Sequence, residues 1–176
     1  VLAFLHVKTR QVILSPATRH PNEAWVVAQA ESFVNQAREQ GLPVTLVQHD
    51  RDTKFTKSFD ARLKTHRVPA KVGAYRSPNT NAYVERFIQS IEQECLDRFV
   101  VFGERHMDHL CREYLAYYHA ERPHQSLENE PLIKPKKRGR RTTKRGKIED
   151  EIIPLTVVRC RQRLGGLLKS YSRRAA

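Results

Sequence analysis

Two carboxylates stand out by residue type and context. Asp50 follows a short apolar run, Val44-Thr45-Leu46-Val47-Gln48, which reads as a buried strand. It therefore sits where a strand gives way to the loop Arg51-Asp52-Thr53-Lys54-Phe55-Thr56. Glu85 follows Ser77-Pro78-Asn79-Thr80-Asn81-Ala82-Tyr83-Val84 and lies in the first turns of a strong helical pattern. A strand-end Asp and a helix-borne Glu can converge on one divalent ion. Hard cations such as Mg²⁺ take carboxylate oxygens and share them with phosphate. Taken singly, such residues are more often a turn residue and a surface charge, so their surroundings decide the reading.

The elements that must position the pair follow from periodicity. Residues 51–84, 34 in number, separate the two acids. That span has room for a helix over Lys57–His66 anchored by Phe59 and Leu63, a strand over Pro69–Gly73, and a polar loop to Thr80. Val84, Phe87, Ile88, Ile91 and Cys95 form an apolar stripe at helical spacing, with Glu85 at its edge. Upstream, Val1–Val7 and Gln11–Pro16 read as a hairpin turning at Lys8-Thr9-Arg10. The first strand is nearly all apolar, which predicts burial on both faces. Pro21 opens a helix as its first residue. Ala24, Val27, Ala28, Ala30, Phe33, Val34 and Ala37 form its apolar positions, Trp25 is a core or helix–sheet contact, and Gly41 and Pro43 end it. A further helix runs over Glu104–His119. Strands alternating with helices predict an α/β fold.

Three segments in this order carry a family resemblance. His49-Asp50-Arg51-Asp52-Thr53-Lys54-Phe55, Ser77 through Glu85, and Tyr118-His119-Ala120-Glu121-Arg122-Pro123-His124-Gln125-Ser126-Leu127 resemble the signature motifs of integrase-core transposases, the retroviral-integrase-like Asp-Asp-Glu family of bacterial insertion sequences. The resemblance covers roughly residues 1–131. It implies an RNase H-like fold, a mixed five-stranded sheet flanked by helices. It also implies polynucleotidyl transfer with two Mg²⁺ or Mn²⁺ ions, Asp50 bridging them and Glu85 holding one. Asp52, where the family usually has Gly, is read as a loop residue or a support to the neighbouring ligand, not as a matched ligand. Arg76, Ser77, Asn79 and Arg122 are candidate DNA contacts. His124 is read as structural or close to phosphate.

The first Asp of that triad has no match. No Asp lies between Val1 and His49, and Glu23, Glu31 and Glu39 fall on one helix. The opening strand has no predecessor, so the expectation is an N-terminally truncated core lacking its first, central strand and crippled in catalysis.

Charge is unevenly placed. Residues 1–133 hold 17 Lys+Arg against 16 Asp+Glu, and residues 134–176 hold 15 against 3. Lys134–Lys147 has nine basic residues, including Lys136, Lys137, Arg138, Arg140 and Arg141, and no apolar one. A near-neutral core with a basic tail points to a polyanion, and nucleic acid is the commonest. The expected organisation is a partial core over 1–131, a disordered basic linker over 132–150, and a strand-and-turn element over 151–176 that is too short to fold alone and is expected to dock or stay partly ordered. Donor and target DNA and further copies of the chain on DNA are the expected partners. No run is long enough to span a membrane. Three cysteines without Cys-x-x-Cys spacing read as reduced thiols, which suggests a cytoplasmic, nucleoid-associated protein. The competing reading is a non-catalytic DNA-binding remnant acting through the tail. An RNase H-like nuclease would share the carboxylates but not the basic tail or the Arg122-Pro123-His124 segment.

Overall fold

The computed structural model describes residues 1–73, 81–133 and 155–173. The order is β1 (Ala3–Leu5), β2 (Val12–Leu14), α1 (Glu23–Glu39), β3 (Val47–His49), α2 (Lys57–Thr65), β4 (Ala70–Val72), α3 (Ala82–Glu94), α4 (Glu104–Ala120), β5 (Val158–Arg163) and β6 (Leu168–Arg173). This is the mixed α/β order that the periodicity predicts. The described strands pair two by two instead of in one five-stranded sheet: β1 with β2 antiparallel, β3 with β4 parallel, and β5 with β6 antiparallel. The chain divides into two compact units, Val1–Arg112 and Glu113–Ala176.

In the first unit α1 is the common backing. Asn22 caps it, its side chain accepting from the Trp25 N–H at 2.9 Å. Pro21 thus precedes the cap instead of starting the helix. Gly41, at φ +66°, ends it in the left-handed conformation that glycine adopts most easily. Val26, Ala30, Val34 and Ala37 form its buried stripe, while Ala24 and Ala28 face solvent. Val26, Ala30 and Val34 pack with Val47, Phe59, Leu63 and Val68 in one core, with Trp25 against it. Phe33 stacks on Phe4 of β1, ring centroids 4.2 Å apart, and Ala37 packs with Ile13 and Leu42. So one helix supports both two-stranded sheets. The β1 residues are only half-buried, unlike the two-sided burial their apolarity predicts, and Ala3, Phe4 and Leu5 line an open cavity.

On α3, Phe87, Ile91 and Cys95 are buried, but Ile88 of the expected stripe is 40% exposed. Arg10, in the hairpin turn, stacks on Tyr83 with its guanidinium carbon 3.2 Å from the ring centroid, which ties α3 to the hairpin. All three cysteines are free, Cys95 and Cys111 buried and Cys160 exposed. Burial, helped by the neighbouring Cys111, pushes the Cys95 thiol up to about 11, which keeps it protonated and unreactive. Among the described residues no helix is long and apolar enough to cross a membrane.

In the second unit, Tyr114, Tyr118, His124 and Leu168 are buried. Within the stretch read as a strand-and-turn element, the described residues form the β5–β6 hairpin. It docks on the last turns of α4 through polar contacts: Arg163 donates to Glu121 Oε1 at 2.7 Å and to Glu113 Oε2 at 2.8 Å, and Ser170 donates to Glu121 Oε2 at 2.8 Å.

Candidate functional site

The alternation of β3 places Asp50. Val47 and His49 are buried on one face, Gln48 is exposed on the other, and Asp50 is the first residue beyond the strand. His49 is the anchor, and the sequence reading missed it. Its ring lies 4.9 Å from Phe55 and 5.7 Å from Phe59, centroid to centroid. Its Nδ1 is 2.7 Å from the Asp50 carbonyl oxygen, and its Nε2 is 3.0 Å from Asp60 Oδ1 on α2. The backbone of Asp50 is thereby fixed from behind while its carboxylate faces solvent. Nothing local in the sequence marks this role: Phe55 ends the first motif, Phe59 lies four residues beyond it, and only folding brings both rings to the imidazole.

The loop after Asp50 is a chain of Asx turns. The Asp52 N–H donates to Asp50 Oδ1 at 3.1 Å, and the Lys54 N–H donates to Asp52 Oδ1 at 3.0 Å. Asp52 also pairs with Lys54 Nζ at 3.7 Å. Asp52 thus sits in the loop, with its carboxylate committed to the Lys54 backbone and side chain. Farther on, the Thr56 hydroxyl donates to Glu23 Oε1 at 2.8 Å. Hydrogen bonds from Ser58 and then Thr56 hold the Glu23 carboxyl below its ordinary range.

Glu85 lies in the first turn of α3, its N–H donating to the Asn81 carbonyl at 3.0 Å. A carboxylate is favoured there by the partial positive charge of a helix start. Its side chain is exposed. Gln48 and Val84 line the same cavity, of about 580 Å³. Asp50 therefore stands two residues beyond that wall and Glu85 one residue beyond it. Among the described residues no cluster of three or more His, Cys, Asp or Glu side chains is arranged to hold a metal. Two exposed carboxylates are nonetheless the hard oxygen donors that Mg²⁺ takes when phosphates and water complete its shell, so the donor set fits such an ion.

The Tyr118–Leu127 segment is built around His124. The imidazole is buried, its Nε2 lies 2.8 Å from the Tyr118 carbonyl oxygen, and its ring meets Tyr118 edge-on at 4.8 Å. Of the two roles open to His124, this geometry favours the structural one. Arg122 is partly exposed, over the Tyr118 ring at 5.8 Å. Burial, with the neighbouring His124, pushes His119 down to about 4. Burial alone would raise the Glu121 carboxyl, but the bonds from Arg163 and Ser170 outweigh it and hold the group below its ordinary range. Nothing local in the sequence marks Glu121 and Arg163 as partners, because 42 positions separate them. Arg76, Ser77, Asn79, Lys136, Lys137, Arg138, Arg140 and Arg141 lie outside the described residues.

A family model described as an integrase core domain matches residues 66–131. The match takes in β4, α3 with Glu85, α4 and the Tyr118–Leu127 segment; Asp50 precedes it. Integrase cores are a DNA integration and transposition family, so the matched stretch implies DNA as partner and supports the resemblance drawn from the motifs. No curated protein matches the chain.

Proposed function

We propose that this chain carries the core of a DNA transposase or integrase of insertion-sequence type, acting by metal-dependent polynucleotidyl transfer on an RNase H-like scaffold. The observation that carries the reading is the integrase-core match over residues 66–131, joined to an exposed Asp at the end of β3 and an exposed Glu in the first turn of α3. Asp50 and Glu85 would hold divalent ions. Such ions supply activation of an attacking hydroxyl and stabilisation of the leaving oxygen. His49 keeps the Asp50 backbone in register. Arg76, Ser77, Asn79 and Arg122 would contact the DNA backbone, with His124 holding the loop that presents Arg122.

The organisation we propose is a partial core over 1–131, a basic linker over 132–150 and a C-terminal element over 151–176, working as a homo-oligomer on donor and target DNA in the nucleoid. Residues 1–49 offer no Asp, and their glutamates all belong to α1. Turnover by residues 1–176 alone is therefore expected to be weak. In a strand-transfer assay with Mg²⁺ or Mn²⁺, robust turnover would refute this impairment. The transposase reading itself fails if Mn²⁺ causes no paramagnetic broadening at residues 49–52 and 84–88.

The charge distribution favours a second reading, non-catalytic DNA binding through the tail. The nine basic residues of Lys134–Lys147 predict a log–log salt slope of up to about −8 for duplex DNA. In D50A/E85A this slope should persist while Mn²⁺ broadening vanishes. A slope near zero would remove the tail from the binding account.

A further inference from the structure

The β5–β6 hairpin has two unlike faces. Residues directly opposite each other in an antiparallel pair put their side chains on the same side, and the sides alternate along each strand. Arg163 lies opposite Leu168 and Arg161 opposite Ser170. That side is the docked one: Leu168 is buried, Arg161 and Arg163 pair with Glu121, and Arg163 pairs with Glu113 as well. The other side carries Gln162 opposite Lys169, Cys160 opposite Tyr171 and Val158 opposite Arg173. All of these except Val158 are exposed, Tyr171 at 68%. Residues 155–173 hold five basic side chains, Arg159, Arg161, Arg163, Lys169 and Arg173, and no acid. Docking engages Arg161 and Arg163. Lys169 and Arg173 stand on the outer side with Tyr171 between them, about 7 Å from each along the strand.

We infer that this outer face binds unpaired DNA: Tyr171 stacks on one base, and Lys169 and Arg173 take the backbone phosphates to either side of it. A lone exposed aromatic is ordinary by itself. Tyr171 differs in its setting, since its cross-strand neighbour Cys160 is too small to cover the ring and its own strand places a cation two residues away on both sides. A duplex keeps its base faces inside the stack, so it offers the cations a backbone and the ring nothing. An acidic peptide likewise satisfies the cations alone. A single strand offers phosphates and open base faces together, and stacking on an aromatic side chain is how such strands are held without regard to sequence. The hairpin face is also distinct from the basic stretch Lys134–Lys147, which has charge but no aromatic residue and so cannot tell an unpaired base from none. That the strand is DNA rests on the proposed function; that it is unpaired rests on the hairpin.

The test uses the full 176-residue chain without metal. Its ligands are an oligothymidine of about ten nucleotides, within the span such platforms occupy, and an abasic strand of the same length and charge. The unaltered chain should bind the base-bearing strand at least about fivefold tighter, the contribution of one stacked base. Tyr171→Thr, which keeps a good strand former at the position, should abolish that difference, and Tyr171→Trp should retain it. Lys169→Gln should lower the log–log salt slope of single-strand binding by about 0.7. Binding to a duplex of the same length should be unchanged by Tyr171→Thr. Equal affinity of the unaltered chain for the two strands overturns the proposal, and that comparison needs no variant to fold. No binding overturns it too, as does a base preference that survives Tyr171→Thr, or a loss from that substitution equally large on the duplex. An oligouridine bound about tenfold tighter than the oligothymidine would make the ligand RNA and overturn the assignment to DNA. With no metal present, failure here leaves the transposase reading to be judged separately by Mn²⁺ broadening at residues 49–52 and 84–88.

Discussion

The acids that hold the C-terminal hairpin and the acids near the cavity use the same chemistry in opposite ways. Glu121 is 8% exposed, sits 2.7 Å from Arg163, and also takes the Ser170 hydroxyl and the Arg161 guanidinium at 3.2 Å. Its charge is spent holding a hairpin to a helix. Asp50 and Glu85 are exposed, and their surroundings fix their backbones, through His49 and the start of α3, more than their carboxylates. A negative charge committed to a buried cation contributes to stability only. One held in place but left facing solvent is poised for an outside partner, and this difference separates the structural acids from the candidate ligands.

Substitution at Glu121 tests the first half of that contrast and should have the largest effect. Glu121→Ala leaves Arg163, 13% exposed, with only Glu113, and should cost about 3 kcal/mol, the low end for breaking a buried pair. Urea unfolding followed at the β5–β6 amides reads it; a cost below about 1 kcal/mol would show the pair behaving as an ordinary surface bridge.

Acid offers a second, smaller probe of the same unit. His119 is held down to about 4 in the folded protein, against about 6.5 when unfolded. The unfolded chain therefore binds the proton first. The stability associated with neutral His119 is complete above the unfolded value and is lost as pH falls from about 6.5 through about 4. Between pH 7 and pH 5 the loss should be about 2 kcal/mol, and His119→Gln should flatten it in pH-dependent urea midpoints. A profile unchanged by the substitution would assign the acid sensitivity elsewhere.

The smallest effect on stability belongs to the cavity acids. Asp50→Asn keeps the oxygen that accepts from the Asp52 N–H, and Glu85→Gln gives up only a helix-start charge. Each should shift the unfolding free energy by less than about 1 kcal/mol while abolishing Mn²⁺ broadening at residues 49–52 and 84–88. A large loss of stability from either would move that residue into the same class as Glu121.

Much of this arrangement was legible in the residues. The apolar run before Asp50 and the stripe beside Glu85 put one acid at a strand end and the other in a first helical turn, where the structure has them. Phe59 and Leu63 were readable as the anchors of α2, and both are fully buried. Partnership at a distance was not legible. Periodicity tells which face of a segment is apolar, but not which element covers it. Hence Ile88 was placed in the core although it is exposed, and His49, a polar residue at a strand end, gave no local sign of the aromatic pocket that holds it. Strand neighbours are equally hidden, which is why three separate pairs could not be told from one sheet.

Helix α1 has a mechanical consequence. Phe33 and Ala37 line the cavity, whereas Val26, Ala30 and Val34 press on Phe59 and Leu63. Phe59 in turn meets the imidazole behind Asp50. Close-packed interiors pass strain along instead of absorbing it. A wedge driven against Phe33 would travel across the width of a single helix and arrive as torque on the Asp50 turn, so that α1 works as a crossbeam between the cavity and that turn.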